Sequence, residues 1–223
     1  EFARLRADLN HYEAVPGGCV ANTLCGLAAQ GVPSRFYGKI GDDSFDSLYR
    51  ASFREYEVAY DVAAGGQESS QCAVLVTPDG ERSFAYTHGA SWDLSPEDID
   101  ADSFSAAALI HIEIYIFEFG RNSDTAQKVF EAARTHRVPL VMKVMDQDFA
   151  VRYAQKVRAL ADAKILTLLI GNHENLPSLV GAGSIDETLL KLSEWPCDIL
   201  MTANRDGAYF IRDRSEEHTT ELQ

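Results

Sequence analysis

Cysteine is scarce and scattered in this chain. The four residues Cys19, Cys25, Cys72 and Cys197 form no C-x-x-C pair, which argues against a zinc site or a disulfide framework. Reduced thiols, mostly buried as small apolar residues, are the expectation. The six histidines are dispersed as well. None sits at H-x-x-x-H or H-x-x-E-H spacing, so the pattern gives no metal centre. His111 lies in an apolar stretch and reads as a satisfied core residue. Basic residues are outnumbered, 20 against 34 acidic ones, for a formal net charge of -14. With no Lys/Arg cluster, nucleic-acid binding is not expected, and the acidity favours solubility. No apolar run is long enough to cross a bilayer and no signal peptide opens the chain, so a cytoplasmic location is the expectation. No G-x-G-x-x-G links a strand to a helix, which sets aside a dinucleotide-binding enzyme.

What is present is ordinary in bulk and specific in detail. The 223 residues, 46% hydrophobic and 24% charged, suffice for one large domain, or for one with a small appendage. The most informative stretch is Val15-Pro16-Gly17-Gly18-Cys19-Val20-Ala21-Asn22. A glycine pair runs into a helix whose apolar stripe is Val20, Leu24, Leu27 and Ala28, at i, i+4, i+7 and i+8. Gly31 stands where a left-handed cap is expected, and Pro33 prevents resumption. The glycines permit positive φ and close approach of a ligand. The helix start offers N–H groups and a positive dipole end. Asn22 can donate and accept. The set suits a hydroxyl-rich small molecule. A plain turn with Asn22 as a capping residue is the alternative on local grounds.

Downstream, residues 35–40 read as a strand, Gly41-Asp42-Asp43 as a turn and helix cap, 44–56 as a helix, and 58–63 as a short strand. Residues 71–87 form a hairpin around Thr77-Pro78-Asp79-Gly80. There Pro78 fixes φ, Asp79 bonds through its side chain and Gly80 permits positive φ. From residue 106 strands and helices alternate. Strands are expected over 107–117, 138–144, 164–170, 197–202 and 207–212. Ser123 is expected to cap a helix reaching His136, and further helices to cover 148–162 and parts of 173–194. Such alternation implies a mostly parallel sheet, with ligands beyond the carboxyl ends of its strands. The hairpin breaks this rhythm and suits a small β lid.

In this order the motifs resemble the ribokinase-like, or pfkB, carbohydrate kinases, most of all their adenosine kinase-like branch. The matching residues are Gly17-Gly18-x-x-x-Asn22, then Phe36-x-Gly38-Lys39-Ile40-Gly41-Asp42-Asp43-x-Phe45. Val76-Thr77-Pro78-Asp79-Gly80-Glu81-Arg82 follows, with Gly89-Ala90-Ser91. Weaker matches are Gly171-Asn172-His173-Glu174 and Thr202-x-x-x-x-Gly207-Ala208. The resemblance implies an α/β/α sandwich with a small β-sheet lid, made here by 35–40, 58–63 and 71–87. It implies transfer of the ATP γ-phosphoryl, with Mg²⁺, to a hydroxymethyl group of a sugar or nucleoside. By resemblance Gly17, Gly18, Asn22 and Glu113 would bind the acceptor, Asn172 and Glu174 would face the triphosphate and its magnesium, and Thr202 would lie near the nucleotide. A homodimer through the lid is a separate expectation, not one the resemblance carries.

The chain also departs from the family pattern. The usual Asn-x-x-Glu has Asn175 at its fourth position, with the glutamate one place early at Glu174. On a helix that shift turns a side chain by about 100°. Asp46 stands where glycine is common, and Thr202-Ala203-Asn204 replaces Thr-x-Gly, with Asn204 able to take positive φ. The Gly-Ala-Gly-Asp turn that carries the family's catalytic base has no counterpart, and Asp8 is no substitute for an early substrate-binding aspartate. Residues 1–212 read as a partial kinase domain. Residues 213–223 resemble translated adapter sequence and are expected to be non-native, leaving the strand near 207–211 with an unpaired edge and an uncovered apolar face. A substrate-binding fragment without turnover and a non-enzymatic dimerisation module remain open, since losing a positioned base removes ~10²–10⁴-fold in rate.

Overall fold

A computed structural model describes residues 2–8, 12–118, 124–212 and 215–219. The chain divides into two compact units, Glu1–Ile99 with Glu118–Thr125, and Asp100–Phe117 with Ala126–Gln223.

The first unit opens with helices α1 (Phe2–Asp8) and α2 (Cys19–Ala28), followed by strand β1 (Arg35–Gly41), helix α3 (Ser44–Glu55) and strand β2 (Ala59–Gly65). β1 and β2 pair in parallel from Arg35↔Ala59 to Gly41↔Gly65, and α3 is the crossover that parallel pairing requires. Phe53 of α3 is fully buried and centres the core. Its ring lies 4.9 Å from Phe36, 5.0 Å from Tyr49 and 5.5 Å from Tyr60. Ala21, Leu24, Cys25 and Ala28 of α2 pack against this cluster. The stripe is therefore turned by about one residue from the expected one. Cys25 takes the place given to Leu27, on the helix face that meets the aromatic cluster. Gly31 takes φ 82°, and the Val32 N–H reaches the Leu27 carbonyl at 3.0 Å, closing the helix as expected.

Strands β3 (Gln71–Val76) and β4 (Arg82–Thr87) form an antiparallel sheet of their own, in register from Gln71↔Thr87 to Val76↔Arg82. Thr77 N–H bonds Glu81 O at 3.0 Å, Thr77 Oγ1 bonds Asp79, and Gly80 sits at φ 89°, the turn chemistry read from the sequence. One face of this hairpin presents exposed Cys72, Val74, Val76, Phe84 and Tyr86. Cys72 corrects the expectation of buried thiols. It lies on the outward phase of an alternating strand, and none of the other three cysteines is fully buried.

The second unit is built on a six-stranded sheet. Its strands are β5 (Ile110–Glu113), β6 (Leu140–Lys143), β7 (Leu166–Asn172), β8 (Asp198–Thr202), β9 (Ala208–Arg212) and β10 (Ser215–Thr219), adjacent in that order. β5 to β8 run parallel, and β9 and β10 are antiparallel to their neighbours. Helices α4 (Asp124–His136), α5 (Gln147–Asp162), α6 (Asn175–Val180) and α7 (Ile185–Leu192) connect the parallel strands. Leu140, Met142, Leu169, Ile199 and Met201 are completely buried in it. Three expectations change. The strand over 107–117 shrinks to 110–113, and Ile114–Phe117 forms a 3-10 turn that still buries Ile114, Ile116 and Phe117. The β9 edge is paired with residues 215–219 rather than open. His111 is not satisfied, since its buried Nε2 has no hydrogen-bond partner. Burial, and then the neighbouring Lys143 charge, lower its pKa. The Ser123 cap lies outside the described residues.

Replacing Phe53 with alanine is expected to cost ~3–5 kcal/mol, because the aromatic cluster cannot collapse into the void. Urea unfolding checks this, with Leu190→Ala, on an exposed position of α7, as the near-neutral control.

Candidate functional site

At the α2 start, Gly18 is the N-cap residue with φ 105° and ψ 126°. A β-carbon there would meet the Tyr49 hydroxyl at an ordinary 3.7 Å. The positive φ, rather than lack of space, therefore demands glycine. Gly17, Gly18 and Asn22 are all solvent-exposed. Asn22 N–H closes the first turn on Gly18 O at 2.9 Å, while Thr23 Oγ1 bonds back to Cys19 O at 2.7 Å. The helix thus presents an exposed glycine backbone and an exposed amide at its positive end, as the sequence implied.

A second cluster of the same unit went unread. Asp43 caps α3 by accepting from Phe45 N–H at 2.9 Å, as expected. It also accepts from Ser69, across the chain, through the backbone N–H at 2.7 Å and the hydroxyl at 2.8 Å. Ser69 Oγ in turn accepts from Gly41 N–H at 3.2 Å. A β-carbon at Gly41 would overlap Ser69 N and Gln67 O, and one at Gly89 would overlap Glu68 O. Ala90 N–H bonds Glu68 O at 2.9 Å, and Gly89 N–H bonds Ser70 Oγ at 3.0 Å. Over this crossing lies a polar concavity of about 230 Å³, lined by Gln67, Glu68, Ser69, Thr87, His88 and Gly89. It includes none of Gly17, Gly18 and Asn22. His88 stacks on Trp92 with ring centroids 3.9 Å apart. The glycines of Gly41-Asp42-Asp43 and Gly89-Ala90-Ser91 were the available signal. Ser69, 26 positions from Asp43, carried none.

In the second unit the sequence-predicted residues lie at carboxyl ends of parallel strands. Glu113 ends β5, opposite Lys143 of β6. Asn172 of β7 is in register with Thr202 of β8, and His173 N–H bonds Thr202 O at 2.9 Å. Asn172, Glu174 and Thr202 are thereby brought together, and Glu113 stands two strands away in the same sheet. Asn172 Oδ1 accepts from Glu174 N–H at 3.1 Å and Asn175 N–H at 2.7 Å. α6 begins at Asn175, so the displaced glutamate is its N-cap residue, with φ -98° and ψ -41°. Glu174 is exposed and Asn175 buried. Buried His173 Nδ1 has no partner. Asn204 takes φ 52°, as its residue type allows.

Burial opposes ionisation of Asp43, but the Ser69 N–H, Ser69 hydroxyl and Phe45 N–H bonds outweigh it and hold its pKa below the usual carboxylate value. The folded pKa is thus lower than the unfolded one. The resulting stability is complete above the ordinary carboxylate pKa and is lost as pH falls through the depressed folded value. Asp43→Asn is expected to flatten this part of the acid limb in pH-dependent urea melts.

Residues 4–222 match the family model described as pfkB family carbohydrate kinase. The fructokinase of Klebsiella pneumoniae is 32% identical over 99 residues, 44% of this chain and 32% of that protein. The chain spans about a third of the length of the curated relatives it matches. The adenosine kinase of Sinorhizobium meliloti superposes with TM-score 0.89 at 22% identity, covering 98% of this chain and 67% of that one. The Vibrio cholerae fructokinase solved with fructose, ADP and calcium ion gives 0.78 at 18%, covering 95% and 70%. These likenesses give the ribokinase-like α/β fold. With the glycine-led helix, the hairpin and the strand-end residues already in place, the chain belongs to the pfkB family of carbohydrate kinases.

Proposed function

We propose that the parent protein transfers a phosphoryl group from ATP to a hydroxymethyl group of a sugar or nucleoside. The observation that carries this reading is the exposed Gly17-Gly18-x-x-x-Asn22 helix start, in a chain whose relatives are sugar and nucleoside kinases by name. Gly17, Gly18 and Asn22 would hold acceptor hydroxyls. The hairpin at 71–87 would serve as a lid that excludes water from the transfer, with the β1 and β2 strands beside it. The branch nearest in motif is adenosine kinase-like, through the Val76–Arg82 hairpin and Gly89-Ala90-Ser91.

ATP supplies the phosphoryl group, and Mg²⁺ neutralises the charge on its oxygens. The residues present fit both in part. Glu174 and Thr202 are exposed at adjoining strand ends, free to face phosphate oxygens or a hydrated cation. Asn172 Oδ1 is committed to the α6 start and would act by shaping that turn. This chain offers no Gly-Ala-Gly-Asp turn for a general base and anion hole, so binding without turnover is the reading for these 223 residues.

A second reading rests on the exposed face of Val74, Val76, Phe84 and Tyr86, which suits a homodimer through the hairpin. Sedimentation would show a dimer that Phe84→Ser converts to monomer.

Calorimetry with D-fructose, D-ribose and adenosine tests the acceptor reading. At least one is expected to bind, and Asn22→Ala to weaken it about tenfold, the loss of one or two hydrogen bonds. Robust ATP consumption by this chain would refute the fragment reading. Wild-type chain that binds none of the three would refute the acceptor site.

A further inference from the structure

We propose that Asp43 is a positioning residue that clasps the hairpin root and so shapes the polar concavity above it. The concavity is lined only by the two segments that enter and leave the hairpin, Gln67–Ser69 and Thr87–Gly89. Asp43 is absent from that lining. Its carboxylate nonetheless receives both Ser69 donors, at 2.7 and 2.8 Å, while Ser69, 4% exposed, receives Gly41 N–H. The same loop carries the carbonyl that Ala90 N–H bonds and the hydroxyl that Gly89 N–H bonds. One carboxylate therefore fixes the entering strand to α3, and the entering strand fixes the leaving one.

The geometry leaves no other place for the loop. Gly41 and Gly89 approach it too closely for any β-carbon, so the three backbones move together or separate. Neutralising Asp43 weakens three charge-assisted bonds at once, the two from Ser69 and the α3 cap from Phe45 N–H. The surrounding polar groups then lose partners in a nearly buried place, where that loss costs most. The expected result is a loosened loop and a misshapen concavity with α2 intact. The link to acceptor binding rests on the phosphoryl-transfer reading; the clasp does not.

Hydrogen exchange of the wild-type chain, Asp43→Asn, Ser69→Ala and the double variant tests this. Exchange at 67–70 and 87–90 is expected to quicken by about tenfold or more in Asp43→Asn, with 19–28 unchanged. The double variant should be little worse than Asp43→Asn alone, because both changes break one linkage. Should Asp43→Asn fail to fold, Ser69→Ala, which keeps the backbone donor, decides by the same peptides. Unchanged exchange at 67–70, or fully additive effects, would overturn the clasp. Acceptor affinity measured on the same proteins should fall with the loss of protection. A wild-type chain that binds no acceptor refutes the phosphoryl-transfer reading, and the exchange comparison still decides the clasp.

Discussion

The first unit depends on a crossing where three backbone segments meet without room for a β-carbon. Gly41, the loop 67–70 and Gly89 touch there, and Asp43 binds the loop from one side. Close backbone approach supplies rigidity that side-chain packing alone would not give to an exposed hairpin. The aromatic core around Phe53 supports β1, α2 and α3, while the crossing ties the end of β1 and the α3 cap to the hairpin. Substitution at either glycine would separate backbones rather than displace a flexible side chain.

The second unit works by a different rule. Its parallel strands deliver Glu113, Asn172, Glu174 and Thr202 to one kind of place, the carboxyl ends of the sheet, where ligands of such sheets bind. The two units thus hold different chemistry. The first presents exposed glycine backbone, an amide and polar loop groups, which on the proposed reading would meet hydroxyls. The second presents an exposed carboxylate and hydroxyl at a strand–helix turn, which on the proposed reading would face a nucleotide and its magnesium.

Much of this was legible because it is local. The hairpin turn follows from Pro78, Asp79 and Gly80, and the α3 cap from Asp43. Positive φ at Asn204 follows from its residue type. What failed was tertiary. The α2 stripe turned toward Cys25 because an aromatic surface, set by residues 36–60, chose the face. The run 107–117 bends into a 3-10 turn at Ile114, and its period of two runs on through the buried Ile110, Ile112, Ile114 and Ile116, so the pattern reads as unbroken strand and does not mark the bend. Ser69 is a common residue in a polar loop, and only folding brings it to Asp43. His111 reads as core by its neighbours, yet its Nε2 finds no partner.

On the proposed reading the α2 start receives a hydroxyl-bearing acceptor. Amide resonances of Gly17, Gly18 and Asn22 in a ¹⁵N-labelled chain, titrated with fructose, ribose or adenosine, address it directly. Saturable shifts at these amides are expected with an acceptor that binds. Saturable shifts confined to other residues, with the α2 start unmoved, would contradict it.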